Sequence, residues 1–148
     1  MVLWLVIFPF MIASVEFSLT DSEWREQLGA ERYRVMRHKA TEPAYSGMYL
    51  DEEREGIYIC AGCRYPLFHS ADKYREPGCG WPLFKQPIAP KNVVYKEDRS
   101  LKFKRYEVLC RRCESHLGHV FNDGPPPKNL RYTINSLALS FDISSLEK

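Results

Sequence analysis

The sequence predicts an antiparallel β domain with a small helical arm at its N-terminus and a metal clip. Three observations carry this expectation. Cys-x-x-Cys occurs twice, at Cys60 and Cys63 and again at Cys110 and Cys113; short β-forming runs separated by turns fill the chain from Gly56 onward; helical patterning is confined to the residues before about 40.

Two thiolates from each pair make the tetrahedral sulfur set that zinc prefers, so the four cysteines are expected to form one closed, structural zinc site. Cys110, Cys113, His116 and His119 have spacing that would also close around a metal, but such a site strands Cys60 and Cys63 as unexplained thiols. A disulfide framework is disfavoured by the long separation of the pairs and by the odd fifth cysteine. Zinc held this way fastens two distant turns and contributes folding energy directly.

At 148 residues and 45% hydrophobic, the chain suits one globular domain with a real core. A formal charge of +2 and a pI near 8.3 are too mild to make nucleic acid or an anionic membrane the main partner. A zinc-ribbon nucleic-acid binder has only that mild basicity behind it, and salt-dependent retention on DNA or RNA is its test. Aromatic content of 14% fits a β-rich domain or an aromatic-lined pocket.

Residues 1–13 are apolar but too short to span a bilayer as a helix, and Pro9 interrupts them. Residues 1–17 are therefore read as a leader or disordered start and 18–148 as the domain. The expected location is cytoplasmic, with the secretory pathway as the alternative if 1–13 act as a signal, and the expected state is a monomer. Thr20 and Glu23 have capping-box spacing; Trp24 and Leu28 share one face of a short helix that Gly29 should end, with a second helical piece from Ala30 to about Arg37. Pro43 and Gly47 bracket a loop. Strands are expected at 56–59, 92–95, 103–109 and 132–141, with prolines beside or between them.

Cys79 lies outside the metal set, in PGCGWPLF, with Gly78 and Gly80 expected to leave its backbone uncrowded and Trp81 to supply a flat wall. It reads equally as a small buried apolar residue or as an approachable thiol. His116 and His119, followed by Asp123, are candidates for acid catalysis or a hydrogen-bonded relay near neutral pH, against the commoner structural role. Arg131, Thr133 and Asn135 share one face of the last strand by period two, either as a solvated face or as a pocket floor.

Together, TEPAYSG, CAGC, LFHSADKY, GCGWPLF, the Asp98–Glu107 segment, CRRCESHLGHVFNDGPPP and RYTINS closely resemble the type B methionine sulfoxide reductases, which reduce the R epimer of methionine sulfoxide. The likeness runs from about Trp24 to Phe141. It implies a zinc-bound fold of two antiparallel sheets, the β-tent type, with short N-terminal helices. Carried over by position, it makes Cys79 the resolving cysteine and Trp81 the wall against the sulfoxide methyl. Phe121 becomes an apolar pocket residue, and His116, His119, Asp123, Arg131 and Asn135 the polar lining.

The same resemblance puts the family's nucleophilic cysteine, which forms a disulfide with the resolving one, at Thr133. Leu101-Lys102-Phe103 and Lys128-Asn129 are smaller departures, where the family usually has His-Gly-Met and often Thr-Gly. A thiol with a pKa of about 8.5 is partly ionised near neutrality; a threonine hydroxyl is not, and it cannot pass through sulfenic acid and disulfide. The resemblance implies methionine sulfoxide in proteins or peptides as substrate and thioredoxin or another thiol as reductant. Thr133 then implies either activity carried by Cys79 or an inactive homologue that binds oxidised methionine.

Overall fold

The computed structural model describes residues 17–143, so the expectation for residues 1–13 falls outside the described residues. One helix, α1 (Asp21–His38), precedes nine strands: β1 (Ile57–Cys60), β2 (Pro66–His69), β3 (Lys73–Tyr74), β4 (Leu83–Phe84), β5 (Val93–Asp98), β6 (Arg105–Cys110), β7 (His116–Phe121), β8 (Arg131–Ile134) and β9 (Leu139–Asp142). They form two sheets, ordered β2-β1-β9 and β3-β4-β8-β7-β6-β5, with every pairing antiparallel. Among the described residues no helix is long and apolar enough to cross a membrane.

The helical arm forms as its sequence dictates. The Thr20 hydroxyl accepts from the Glu23 N–H while the Glu23 carboxylate accepts from the Thr20 N–H, closing the capping box. Gly29, at φ 75° and ψ 165°, breaks the helix into two pieces. Trp24, Leu28, Tyr33 and Met36 are buried against the sheets, and the Trp24 indole lies over Gly62, where a Cβ would stand 2.9 Å from it. The arm is thus fastened to the first Cys-x-x-Cys turn, and Gln27 strengthens the join by donating to the Gly62 carbonyl at 2.6 Å.

The two cysteine turns are copies of one another well beyond their cysteines. After each pair stands a residue in the left-handed region, Arg64 (φ 66°) and Glu114 (φ 59°), whose N–H donates back to the first cysteine's carbonyl at 2.8 Å in both cases. Both hairpins then carry a bulge. Partners step from Phe68 to Pro66 between Tyr58 and Ile59, and from Gly118 to His116 between Val108 and Leu109, leaving Leu67 and Leu117 as the extra residues.

The expected single strand over 132–141 is two strands. β8 ends at Ile134, a 3-10 turn at Ser136–Ala138 follows, and β9 belongs to the other sheet. A continuous strand would bury apolar residues on both faces of one sheet; the turn instead lets each half cover its own sheet. This crossing, together with the cysteine turns, ties the layers around a core that includes Phe68 stacked on Phe84 at 4.4 Å and Tyr58 edge-on to Phe84 at 5.1 Å.

Candidate active site

The four metal-binding candidates come together. Cys60 and Cys110 end β1 and β6, Cys63 and Cys113 follow in the turns, all four are buried, and their sulfurs lie within 4.8 Å of one another. The Cys60–Cys113 and Cys63–Cys110 separations are 3.6 and 3.5 Å. Sulfurs about 2.3 Å from a central zinc, tetrahedrally disposed, stand about 3.8 Å apart, so the cluster matches a zinc site with little adjustment. His116 and His119 are not part of it.

A cavity of about 430 Å³ opens on one face of the larger sheet, lined by Cys79, Trp81, His119, Phe121, Asp123, Arg131, Thr133 and Asn135, with Arg105 and Glu76 among the neighbours. β8 supplies its floor. Along β8 the exposure alternates, Tyr132 and Ile134 turning into the core and Arg131 and Thr133 away from it, and Thr133 pairs with Leu83 on one side and His119 on the other. Asn135 lies beyond the end of β8 rather than on its face. It is buried, donates to the Leu117 carbonyl at 3.0 Å and accepts from the Glu42 N–H at 3.0 Å.

Close backbone approach of β7 to β8 holds this floor flat. A Cβ on Gly118 would fall 2.0 Å from the Thr133 carbonyl oxygen, so only glycine fits at that point. Cys79 lines the cavity from the irregular segment between β3 and β4. Gly78 takes φ 83° there, as its side-chain-free backbone allows. Gly80 is not the open position expected from its sequence: a Cβ would meet Ala44 at 2.6 Å, and its carbonyl accepts from the Tyr45 N–H at 2.8 Å. The glycine there serves close packing, and Cys79 itself is half-exposed.

The charged groups are paired. The Arg131 guanidinium grips the Asp123 carboxylate with two bonds of 2.7 and 2.9 Å, donates to the Thr133 hydroxyl at 3.0 Å and lies 4.4 Å from the Phe121 ring centroid. Asp123 is held below its ordinary carboxylate pKa by this bond. His119 does not share a partner with Asp123. Its Nε2 lies 2.7 Å from the Asp98 carboxylate, which Arg105 also contacts at 3.0 Å. His116 stands behind the cavity rather than in its lining, 2% exposed, with Nδ1 2.7 Å from Glu107 and its ring 5.4 Å from that of His119. A spacing of three would set the two histidines on opposite faces of a regular strand; the bulge at Leu117 adds the residue that returns them to one side.

Asp98, Arg105 and Glu107 were not singled out in the sequence, although a signal existed. Arg105 and Glu107 alternate on one face of β6, and a polar buried face needs polar partners on its neighbour, here the two histidines paired to it across β7.

Burial lowers the pKa of His119 from its ordinary value; the bond to Asp98 opposes this and Arg105 reinforces it. The neutral ring that results donates from Nε2 to Asp98 and keeps Nδ1 as an acceptor. Because the folded pKa is depressed, this group's stabilising contribution is complete above the unfolded value of about 6.5 and declines as pH falls below it. Denaturant midpoints measured from pH 8 to pH 5 are expected to fall below about pH 6.5, and His119→Asn to flatten that part of the curve; an unchanged slope in the variant would contradict the assignment.

The comparisons with known proteins fit this geometry. The SelR domain model matches residues 28–143. The chain belongs to the SelR-domain family. Relatives named peptide methionine sulfoxide reductase MsrB include one from Herminiimonas arsenicoxydans, 53% identical over 83% of this chain and 89% of its own length. Others are from Azotobacter vinelandii, 52% identical over 78% and 86%, and from Hahella chejuensis, 47% identical over 82% and 87%. The SelR domain therefore covers both sheets, both cysteine turns and the whole cavity lining.

Proposed function

We propose that this SelR domain reduces methionine-R-sulfoxide in peptides, with Cys79 as the reacting thiol and a rate limited by Thr133. The observation that carries the proposal is the convergence of Cys79, Trp81, Phe121, His119, Arg131 and Thr133 on one cavity in a chain so similar to named sulfoxide reductases. The Cys79 thiolate attacks the sulfoxide sulfur while the oxygen takes a proton from water oriented by neutral His119. The attack joins the Cys79 sulfur to the substrate sulfur; the hydroxyl then passes to the Cys79 sulfur as the substrate's S–O bond and the new S–S bond both break, which releases the sulfide and leaves Cys79 as a sulfenic acid. An external thiol condenses with it, releasing water, and a second thiol frees Cys79 from the mixed disulfide. The physiological donor is a thioredoxin-type or other small dithiol.

The substrate is a residue within a peptide rather than the free amino acid. Both cationic side chains lining the cavity are engaged, Arg131 by Asp123 and Arg105 by Asp98, so neither is free to take an α-carboxylate. Four buried cysteines of this geometry are a structural site, closed to substrate, in which zinc supplies stability and no chemistry. With dithiothreitol as donor, turnover of the R epimer and not the S epimer is expected, with loss of all turnover in Cys79→Ser; equal rates in the two proteins would sink the proposal.

A second reading draws on one contact. The Thr133 hydroxyl is tied to Arg131 at 3.0 Å, so the floor of the cavity is complete without a thiol. In this reading the domain binds oxidised methionine without reducing it. Calorimetry then finds an oxidised peptide bound, the reduced one not, and Trp81→Ala abolishing the heat.

A further inference from the structure

Glu42 is buried, 2% exposed, in the loop that follows α1, and the reaction proposed above gives it no task. Its backbone bridges the two sides of the cavity. The N–H donates to the Asn135 side chain at 3.0 Å, and the carbonyl accepts from the Trp81 indole N–H at 3.1 Å. Its side chain runs a third way, accepting through Oε1 from the Leu137 N–H at 3.2 Å, within the 3-10 turn that carries the chain from one sheet to the other. Oε2 is buried without a partner among the described residues. Gly47 makes room for this arrangement, since a Cβ there would lie 2.2 Å from the Ser136 hydroxyl and 2.4 Å from Oε2.

We propose that Glu42 is a positioning residue for the sulfoxide: its carboxyl locks the loop to the sheet-to-sheet turn, and the loop's peptide groups then fix the Trp81 indole and the Asn135 amide at a set spacing. The inference rests on the sulfoxide-binding reading and adds a residue to it. Trp81 needs such a support because it precedes β4 in a segment with little ladder bonding, and its N–H is oriented by Glu42 alone among the contacts found. A side chain aligned only by its neighbours' packing would hop between rotamers; one hydrogen bond to a fixed carbonyl selects one of them.

Burial raises the Glu42 pKa from its ordinary value, and the backbone N–H groups of Leu137 and Ser136 oppose the rise. The bond from the Leu137 N–H asks only for an acceptor oxygen at that place, and glutamine supplies one on the same frame. Glutamine should therefore serve where alanine fails.

The test titrates the full chain, expressed with zinc, with a methionine-R-sulfoxide peptide in a calorimeter, for the unsubstituted protein, E42Q and E42A. Zinc content and amide exchange of β7 and β8 are followed in each. E42Q is expected to bind within about twofold of the unsubstituted protein and E42A about tenfold more weakly, a loss in the range of one hydrogen bond's net contribution, with zinc and β7–β8 exchange unchanged. Unchanged affinity in E42A overturns the inference. So does E42Q binding as weakly as E42A, or a weaker E42A that has also lost zinc and strand protection, the mark of general loosening. No binding by the unsubstituted protein sinks the sulfoxide reading and the inference with it, whereas binding that survives E42A sinks the inference alone.

Discussion

Thr133→Cys is expected to raise sulfoxide turnover at least about a hundredfold, well inside the roughly million-fold that loss of a nucleophile costs an enzyme elsewhere. The site around position 133 already suits a thiolate. Arg131 places a guanidinium nitrogen 3.0 Å from the Thr133 hydroxyl, and a cation at that distance favours the ionised thiol. The floor is rigid, because β8 is paired on both sides and Gly118 lets β7 approach closely. Cys79 lines the same cavity and stands ready to condense with a sulfenic acid at 133. In the variant, one equivalent of sulfoxide without external reductant should therefore consume two thiols and yield a disulfide between positions 79 and 133, read by mass spectrometry of proteolytic fragments. A variant that keeps its metal and fold yet stays inert would mean that the lining itself cannot hold a sulfoxide.

Metal removal is expected to have the largest effect on the fold. Structural zinc in small domains binds with about 10–16 kcal/mol, comparable to or larger than the whole 5–15 kcal/mol by which a domain this size is stable. The four sulfurs join the ends of β1 and β6, from different sheets, where the turns are otherwise linked by a 3.4 Å bond from Arg112 to the Cys63 carbonyl, and α1 rests on the first turn through Trp24 and Gln27. Chelation at neutral pH, or Cys110→Ser, should give a chain without a cooperative thermal transition, and returning zinc should restore it in the unsubstituted protein only. A cooperative transition surviving in the fully chelated protein would show that the clip is dispensable.

The legible parts were those set by local rules. Thr20 and Glu23 announce a helix start because the capping box spans only four residues, and Gly29 announces its break because no distant contact is needed for glycine to take a positive φ. Cys-x-x-Cys announces a turn that presents two sulfurs together for the same reason. The expected strand over 132–141 divides because YTI and LALSF are β-forming on either side of Asn135 and Ser136. What cuts it in two is Asn135 and Ser136 meeting the Glu42 loop and the Leu117 carbonyl, contacts from far along the chain. Asp123, the near neighbour in the candidate relay, pairs with Arg131 and not with His119. The partner of His119, Asp98, arrives from β5 through two strand pairings that sequence spacing does not encode.

By itself the sequence determined the gathering of four cysteines that could hold a metal, the kinked helical arm, the β character of the rest and the family to which the chain belongs, because these follow from residue identities at short, fixed spacings. Only the tertiary structure decided which carboxylate serves which histidine, that His116 stands behind the cavity and not in it, and that Glu42 ties the two walls together. Those choices depend on strand register and on one bulged residue, where a shift of a single position turns every side chain to the opposite face.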